Sequence, residues 1–378
     1  MKEIQIPVHA TRDYIVHIGT DLLEQTGSLL AELHQPCKVC IVSDTNVAPL
    51  YMDPVKESLK AAGFTCLEFV FEAGEQSKNL VTYGALQEYL AEHHLTRSDM
   101  LIALGGGVPG DLTGFAAATY NRGIELVQIA TSGLAAIDSS VGGKTAVDLK
   151  AGKNLVGAFK QPLTVLCDLR TFKTLTTEFR EDGLGECVKY GMLKSPSLLN
   201  KIDTALYNDN GFHKLGLSPE ERVQYVGEMV AECVSIKAEV VEQDEFDTGE
   251  RMKLNLGHTV GHAIEHCSGF AISHGHAVAT GLSIITRAGE HMGITEPGTS
   301  QKLDAILKKN NLATNTSFSA KELAAACLVD KKRSGTTIRL ILPRRIGDCI
   351  IKEVPVTELE SIITLGLTPL KAVAPCQK

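Results

Sequence analysis

The chain has no tryptophan, and aromatic residues make up only 5 % of its 378 positions. It also lacks an excess of positive charge: 37 Lys and Arg stand against 45 Asp and Glu, a formal net charge of −8. That balance argues against a general nucleic-acid or membrane-surface partner, while leaving room for a local basic pocket around an anionic small molecule. No uninterrupted apolar run approaches the ~18 residues needed to span a bilayer. The opening MKEIQIPVHATRDY carries charge throughout and has no apolar core of a signal peptide, so a cytoplasmic protein is expected. The ten cysteines are scattered, and Cys37 and Cys40 form the only C-x-x-C. No second pair completes a zinc ribbon. Cys40 lies in the apolar run Val39-Cys40-Ile41-Val42 and reads as strand core, and the set reads as reduced thiols. Repeats, linkers and low-complexity tracts are absent too.

What the chain does have is glycine, 34 residues of it, and 44 % hydrophobic residues. Glycine and small aliphatics suit an α/β protein whose backbone comes close to ligands. The length predicts two domains. In the first half, strand-like runs (4–8, 14–18, 38–44, 66–71, 100–104, 126–129) alternate with helical ones such as 80–94. Such alternation predicts a parallel sheet with ligands at the strands' carboxyl ends. Beyond about residue 175 the pattern turns helical: 176–194, 219–243, 255–267, 274–291, 300–310 and 320–333. Only 337–354 reads as strand, with a turn at 343–347. The fold class is therefore an α/β N-terminal nucleotide-binding domain, 1–174, plus a mostly α-helical C-terminal metal- and substrate-binding domain, 175–378. A cleft between the two is the natural place for a site, and the tail from 371 should fray.

Four runs carry chemistry. The most informative is Arg251 to His276, RMKLNLGHTVGHAIEHCSGFAISHGH. His258 and His262, four apart on a predicted helix, share a face and could hold Zn²⁺ with one further ligand. Thr259 stands where H-E-x-x-H has its glutamate, so a zincin protease is excluded. The run GGGVPGDLTGF, 105–115, follows a strand and opens a helix. Taken alone it fits either a pyrophosphate cradle or a plain tight turn. Asp44 ends a strand, where it could accept from ribose hydroxyls or cap the helix after Asn46. TSGLAAIDSSVGGKTAVDLKAGKN, 131–154, offers Asp138, Lys144, Lys153 and Asn154 among glycines and hydroxyls, a cradle for an anion. In Gly185-Glu-Cys-Val-Lys-Tyr-Gly191, Glu186 and Lys189 lie three apart beside apolar Leu184, Val188 and Met192. A buried glutamate there needs a partner, and a metal would serve.

In this order, DSSVGGKT, GKN, E-x-x-KYG and NLGHT-x-GHA-x-E resemble the 3-dehydroquinate synthase family, and the resemblance runs from Asp44 to the segment 330–347. The resemblance implies metal ligands Glu186, His258 and His274, with His262 moved to the substrate. It implies further substrate contacts from Asp138, Lys144, Asn154, Lys189, Lys237, Arg251, Asn255 and one of Lys331 and Lys332, with Lys331 preferred. Arg122 matches an arginine that reaches the neighbouring subunit's phosphate site, which implies a homodimer. NAD contacts would be Asp44, Glu75, Lys78, Gly106, Gly107, Asp111, Thr131, Ser132 and Lys153, with Thr174 and Leu175 near the adenine. The implied cofactors are NAD and Zn²⁺, with Co²⁺ able to occupy the same site. The implied reaction converts 3-deoxy-D-arabino-heptulosonate 7-phosphate to 3-dehydroquinate and phosphate. It runs through transient oxidation by NAD, β-elimination of phosphate, re-reduction and an intramolecular aldol closure.

Several positions depart from the commonest form of these motifs: Pro109, Gly133, Asp148 and His276, the last standing where glutamate is usual. His276 is expected to serve as a hydrogen-bond partner behind the metal ligands. Three rivals remain. Another sugar phosphate cyclase, such as a 2-deoxy-scyllo-inosose synthase acting on glucose 6-phosphate, would keep the cofactors but has no use for a carboxylate site at Arg251, Lys237 and Asn255. A metal-dependent alcohol or glycerol dehydrogenase would release NADH and has no reason to hold a phosphate. A catalytically dead binding protein would bind NAD and zinc without turnover.

Overall fold

Strand and helix alternate through the first 176 residues of the computed structural model, which describes residues 1–204, 206–208, 211–213, 217–330 and 336–370. In chain order these elements are β1 (Ile4–Val8), β2 (Tyr14–Gly19), α1 (Thr26–Leu33), β3 (Lys38–Asp44), α2 (Ala48–Ala61), β4 (Thr65–Phe71), α3 (Leu80–Glu92), β5 (Met100–Gly105), α4 (Gly107–Thr119), β6 (Glu125–Ala130), β7 (Lys144–Leu149), β8 (Gly152–Phe159) and β9 (Thr164–Asp168). Seven strands form one sheet in the order β1-β2-β9-β6-β5-β3-β4. β1 and β2 pair antiparallel, and every other neighbour pair is parallel. β3 shows why its sequence is an unbroken apolar run. Val39 and Ile41 pack with Met52, Val55 and Leu59 of α2, whereas Cys40 and Val42 pack with Leu86 and Leu90 of α3 and Leu112 and Phe115 of α4. A strand alternates faces with period two, and here helices cover both. β7 and β8 form a separate antiparallel hairpin.

After β9 come α5 (Thr177–Leu193), α6 (Pro196–Thr204), the short pair β10 (Leu206–Asn208) and β11 (Gly211–His213), α7 (Pro219–Gln243), α8 (His258–Cys267), α9 (His274–His291), α10 (Thr299–Lys309), α11 (Ala320–Asp330), the hairpin β12 (Thr337–Arg345) with β13 (Asp348–Pro355), and α12 (Leu359–Leu367). The chain parts into two compact units, 1–176 with 218–246, and 177–217 with 247–378. The difference from a single break at 174/175 is α7. It packs on β1, β2 and the turn at Ala135–Ser139, and Gly227 lies against Met1 and Leu169. Its amphipathic pattern marks a helix but does not say which core it joins. Ser218 and Glu221 close a capping box at its start, with Pro219 in the first turn.

α9 is the axis of the second unit, with fourteen of its eighteen residues buried. It makes contacts with α5, α8, α10, α12 and β12. Glycines permit a close crossing with α8: a Cβ on Gly281 would meet Gly257 O at 2.3 Å and Gly261 N at 2.7 Å. α8 and α9 therefore touch backbone to backbone, with Gly257 against Gly281 and Gly261 against Val278. Among the described residues, no helix is long and apolar enough to cross a membrane. The nine described cysteines are free thiols. Cys40 is fully buried in β3, and burial pushes its thiol up to about 12.

Candidate active site

Three helices of the second unit each contribute one donor. Glu186 sits mid-way along α5 and is fully buried. His258 is the first residue of α8, which starts after Gly257 at φ 81°, and His274 is the first residue of α9. His258 Nε2 and His274 Nε2 each lie 3.5 Å from Glu186 Oε1. The three donor atoms fall within 4.8 Å of one another. The other nitrogen of each ring is held as well: His258 Nδ1 faces Leu256 O at 3.2 Å, and His274 Nδ1 faces Glu265 Oε2 at 3.1 Å. A partner on the far nitrogen fixes ring orientation and tautomer, leaving Nε2 to present its lone pair.

The electrostatics fit a cation. Burial pushes the His258 imidazole down to about 3, with Lys189 and the neighbouring histidines adding to it and Glu186 opposing. His258 is thus a neutral donor. At His274 burial also lowers, but bonds to Glu186 and Glu265 and their charges outweigh it, raising the group to about 10. The space between Glu186 and His274 therefore favours positive charge. Two imidazoles and one carboxylate are a donor set that could hold Zn²⁺ or Co²⁺. Lys189 Nζ lies 2.5 Å from Glu186 Oε2 and 4.3 Å from the centroid of the Tyr190 ring. His262 lies beside the cluster, its ring centroid 5.4 Å from His258 and 5.8 Å from His274. His262, Glu265 and His274 also meet the spacing for a metal, so geometry gives His262 a place next to Glu186, His258 and His274 rather than excluding it. Arg251 is 1 % exposed in the 3₁₀ turn Glu250–Asn255, and Asn255 closes that turn half-buried. Lys331 and Lys332 lie outside the described residues.

In the first unit the strand ends converge. Asp44 Oδ1 accepts from the backbone of Asn46 and Val47, each at 2.9 Å, so this carboxylate does cap the approach to α2. Gly106 and Gly107 open α4. A Cβ on them would lie 3.3 Å from Ser132 Oγ and 3.4 Å from Ser139 Oγ, so side chains would fill the cradle. Pro109 falls in the first turn of α4, where no hydrogen bond is lost. Thr131 donates its amide to Gly105 O at 3.0 Å, and Ser132 Oγ accepts from Ala135 at 3.2 Å. Lys78 Nζ lies 2.7 Å from Asp111 Oδ2 and 3.5 Å from Glu75, and Lys153 reaches Glu75 at 3.7 Å. Burial pulls Lys78 down, but the charges of Asp111 and Glu75 more than restore it, keeping the ammonium protonated. Thr174 Oγ1 shares a hydrogen bond with the Tyr51 hydroxyl, and Leu175 follows it. This set of glycines, hydroxyls and charges at the sheet's carboxyl edge suits a dinucleotide.

Asp138 sits in a π-helical turn, Ala135–Ser139, and pairs with Lys237 of α7, whose Nζ also lies 2.5 Å from Asp138 O. Lys144 and Asn154 share the β7–β8 hairpin without being neighbours. Lys144 pairs with Phe159, whereas Asn154 lies just past Gly152 at the turn, at φ 56°. Arg122 is exposed, at φ 69° directly after Asn121 at φ 50°. Two successive non-glycine residues in the left-handed region are uncommon.

Four carboxylates escaped sequence reasoning about roles. Glu265 orients His274. Glu181 Oε2 and Asp182 Oδ1 flank His276, at 3.1 Å from Nε2 and 3.0 Å from Nδ1. Asp148 Oδ1 accepts from Asn154 N at 2.7 Å and closes the hairpin turn. Glu265 was legible as the last letter of NLGHT-x-GHA-x-E. Nothing in the spacing pointed to the others.

One unit carries a largely parallel, doubly covered sheet with a glycine cradle and the other, helical, unit carries a Glu–His–His cluster, the fold class of the dehydroquinate synthase-like proteins. A 2-deoxy-scyllo-inosose synthase solved with carbaglucose-6-phosphate, NAD⁺ and Co²⁺ superposes with a TM-score of 0.81 at 24 % identity, covering 96 % of this chain and 99 % of that one. A 2-epi-5-epi-valiolone synthase from Streptomyces hygroscopicus subsp. jinggangensis, with NAD⁺ and Zn²⁺ bound, gives 0.81 at 22 % identity over 96 % and 98 %. Family models for the N-terminal and C-terminal parts of 3-dehydroquinate synthase match residues 68–181 and 183–333. The 3-dehydroquinate synthase of Clostridium kluyveri is 42 % identical over 361 residues, 95 % of this chain and 97 % of the relative. The chain belongs to the 3-dehydroquinate synthase family.

Proposed function

We propose that this chain converts 3-deoxy-D-arabino-heptulosonate 7-phosphate to 3-dehydroquinate and phosphate, a step toward aromatic amino acids. The observation that carries the reading is the convergence of Glu186, His258 and His274 within 4.8 Å in a chain of this family. When bound, NAD⁺ accepts and returns a hydride, and the divalent metal acts as a Lewis acid on the substrate oxygens.

The chain's own residues supply the rest. Glu186, His258 and His274 would hold the metal, and Asp44, Glu75, Lys78, Gly106, Gly107, Asp111, Thr131, Ser132, Lys153, Thr174 and Leu175 the dinucleotide. Buried Arg251 would take the substrate carboxylate, since a guanidinium fork matches a carboxylate and keeps its charge when dry. Asn255, His262, Lys189 and Lys237 would fix the hydroxyls. Lys237 also fastens Asp138, whose backbone and carboxylate it bridges. Lys144, Asn154 and Lys331 would hold the phosphate, joined by the partner subunit's Arg122 in a homodimer. Holding the phosphate firmly positions it to take a proton from the adjacent carbon as it leaves. A cytoplasmic location accords with the composition.

Incubation with the heptulosonate phosphate, NAD⁺ and Zn²⁺ tests the reading by inorganic phosphate release. Chelator-sensitive release without net NADH is expected. No release from metal- and NAD-loaded protein overturns it, and release from glucose 6-phosphate instead would assign the chain to the neighbouring cyclase activity.

A further inference from the structure

α9 begins with a metal ligand, and its N-terminus is capped in an unusual way. Ser273 occupies the N-cap position, yet its side chain accepts no backbone N–H of the helix and meets His276 Nδ1 at 3.0 Å. Its hydroxyl instead donates to Asp182 Oδ1 of α5 at 2.7 Å. The same carboxylate oxygen accepts from the backbone N–H of His276 at 3.1 Å, one of the free amides of the first turn. It also faces His276 Nδ1 at 3.0 Å. The cap of α9 thus comes from another helix, the one that carries Glu186. Asp182 lies one turn before Glu186, and His276 two residues beyond His274.

The backbones meet at the same point. A Cβ on Gly185 would stand 2.4 Å from Gly275 O, and a Cβ on Gly275 would stand 2.1 Å from Asp182 O. Gly185 precedes Glu186 and Gly275 follows His274, so the crossing is one residue away from each ligand. A second strut runs alongside: Asn311 Nδ2 donates to Glu181 Oε1 at 3.2 Å, and Glu181 Oε2 faces His276 Nε2 at 3.1 Å. Glu181 and Asp182 are 8 % and 5 % exposed, so water competes little for these bonds. Two carboxylates thus converge on the side chain at position 276. Histidine offers two ring nitrogens on opposite edges, one for each.

We infer that Asp182, with Ser273 and His276, is a positioning clasp that sets the Glu186–His274 separation and hence metal affinity. The inference rests on the metal site proposed above and adds residues that do not touch the metal. A carboxylate that both caps α9 and belongs to α5 leaves the two ligands no independent motion at the point where they must converge. Outer partners of this kind typically change metal affinity ten- to a hundredfold.

The test is Co²⁺ binding to chelator-stripped full-length protein, read by competition with a chromophoric chelator and by the visible absorption of the bound ion, without substrate. Asp182→Ala should weaken Co²⁺ about tenfold or more and alter its absorption, with NAD⁺ affinity unchanged. Asp182→Asn keeps an acceptor for the His276 amide and should recover part of the loss. Ser273→Ala should weaken binding in the same direction by less. A merely structural role would lower the melting temperature and leave affinity and absorption alone, and that result overturns the clasp. Should Asp182→Ala fail to fold, unchanged Co²⁺ affinity and absorption in both Asp182→Asn and Ser273→Ala overturns it equally. Wild-type protein that binds neither Co²⁺ nor Zn²⁺ overturns the metal site itself, a distinct failure.

Discussion

Glu265 is the single residue whose removal should separate metal binding from folding most cleanly. It is 4 % exposed and meets His274 Nδ1, so it governs which nitrogen His274 offers. Glu265→Gln keeps the shape and an acceptor but removes a charge. It should weaken Zn²⁺ about tenfold and leave the unfolding midpoint nearly in place; equal affinity in a chelator competition would refute the role. Lys237 behaves differently because it is bonded to Asp138 inside the first unit, with side-chain exposures of 7 % and 18 %. Lys237→Met strands that carboxylate, and urea unfolding should show a loss toward the low end of the ~3–5 kcal/mol typical of a broken buried pair. Loss under ~0.5 kcal/mol, the level of an exposed pair, would show that water screens it. Glu3 gives a pH signature. Burial raises its carboxyl, but bonds from His17 and Gln5 more than offset this, holding it below its ordinary 4.5. Its contribution is therefore full above about pH 4.5 and is lost as pH falls through the lowered value. Glu3→Gln should flatten that acid limb of the stability curve; an unchanged limb would show the bonds do not persist in solution.

Between elements, α4 and the β7–β8 hairpin form a tight junction in the first unit. A Cβ on Gly114 would stand 2.2 Å from Thr145 Cγ2 and 3.0 Å from its Cβ. Gly114→Ala must push β7 outward, at a cost of about 1–3 kcal/mol for overpacking. NAD⁺ affinity should fall with it, because α4 opens at Gly107. A stable variant with unchanged affinity would mean the hairpin yields freely. This junction also shows what the sequence left obscure. β3 was legible to the residue because both its faces are covered and its apolar run has no interruption. β7 and β8 are missing from the strand-like runs of the sequence, since Lys144, Gly152, Lys153 and Asn154 carry loop composition and neither strand joins the main sheet. The i, i+4 spacing of His258 and His262 was real, but it describes one helix. Glu186 and His274 join His258 because α5, α8 and α9 cross near the turns that carry them, and only the family resemblance grouped the three. No local pattern encodes Asp182 as the cap of a helix that starts 92 residues later.

The whole chain passes between its two units three times, at 176/177, 217/218 and 246/247. Every proposed metal ligand lies in one unit and every proposed NAD contact in the other. A ligand that binds only folded protein stabilises what it binds by RT ln(1 + [L]/Kd), about 2.7 kcal/mol at a hundredfold excess over Kd. Calorimetry can therefore ask whether the units unfold independently. If they do, chelation should lower one transition and leave the other, and NAD⁺ should raise only the one that chelation spares. If the three chain crossings bind the units into one cooperative body, each ligand should shift a single transition, and the effects of metal and NAD⁺ should add. The second outcome is expected. α7 lies in the first unit, yet it is preceded and followed directly by segments of the second, so unfolding either unit frees both ends of α7 and removes the restraint that holds it on β1 and β2. Two resolved transitions, each answering to one ligand, would refute this and show that α7 keeps its place without its neighbours in sequence.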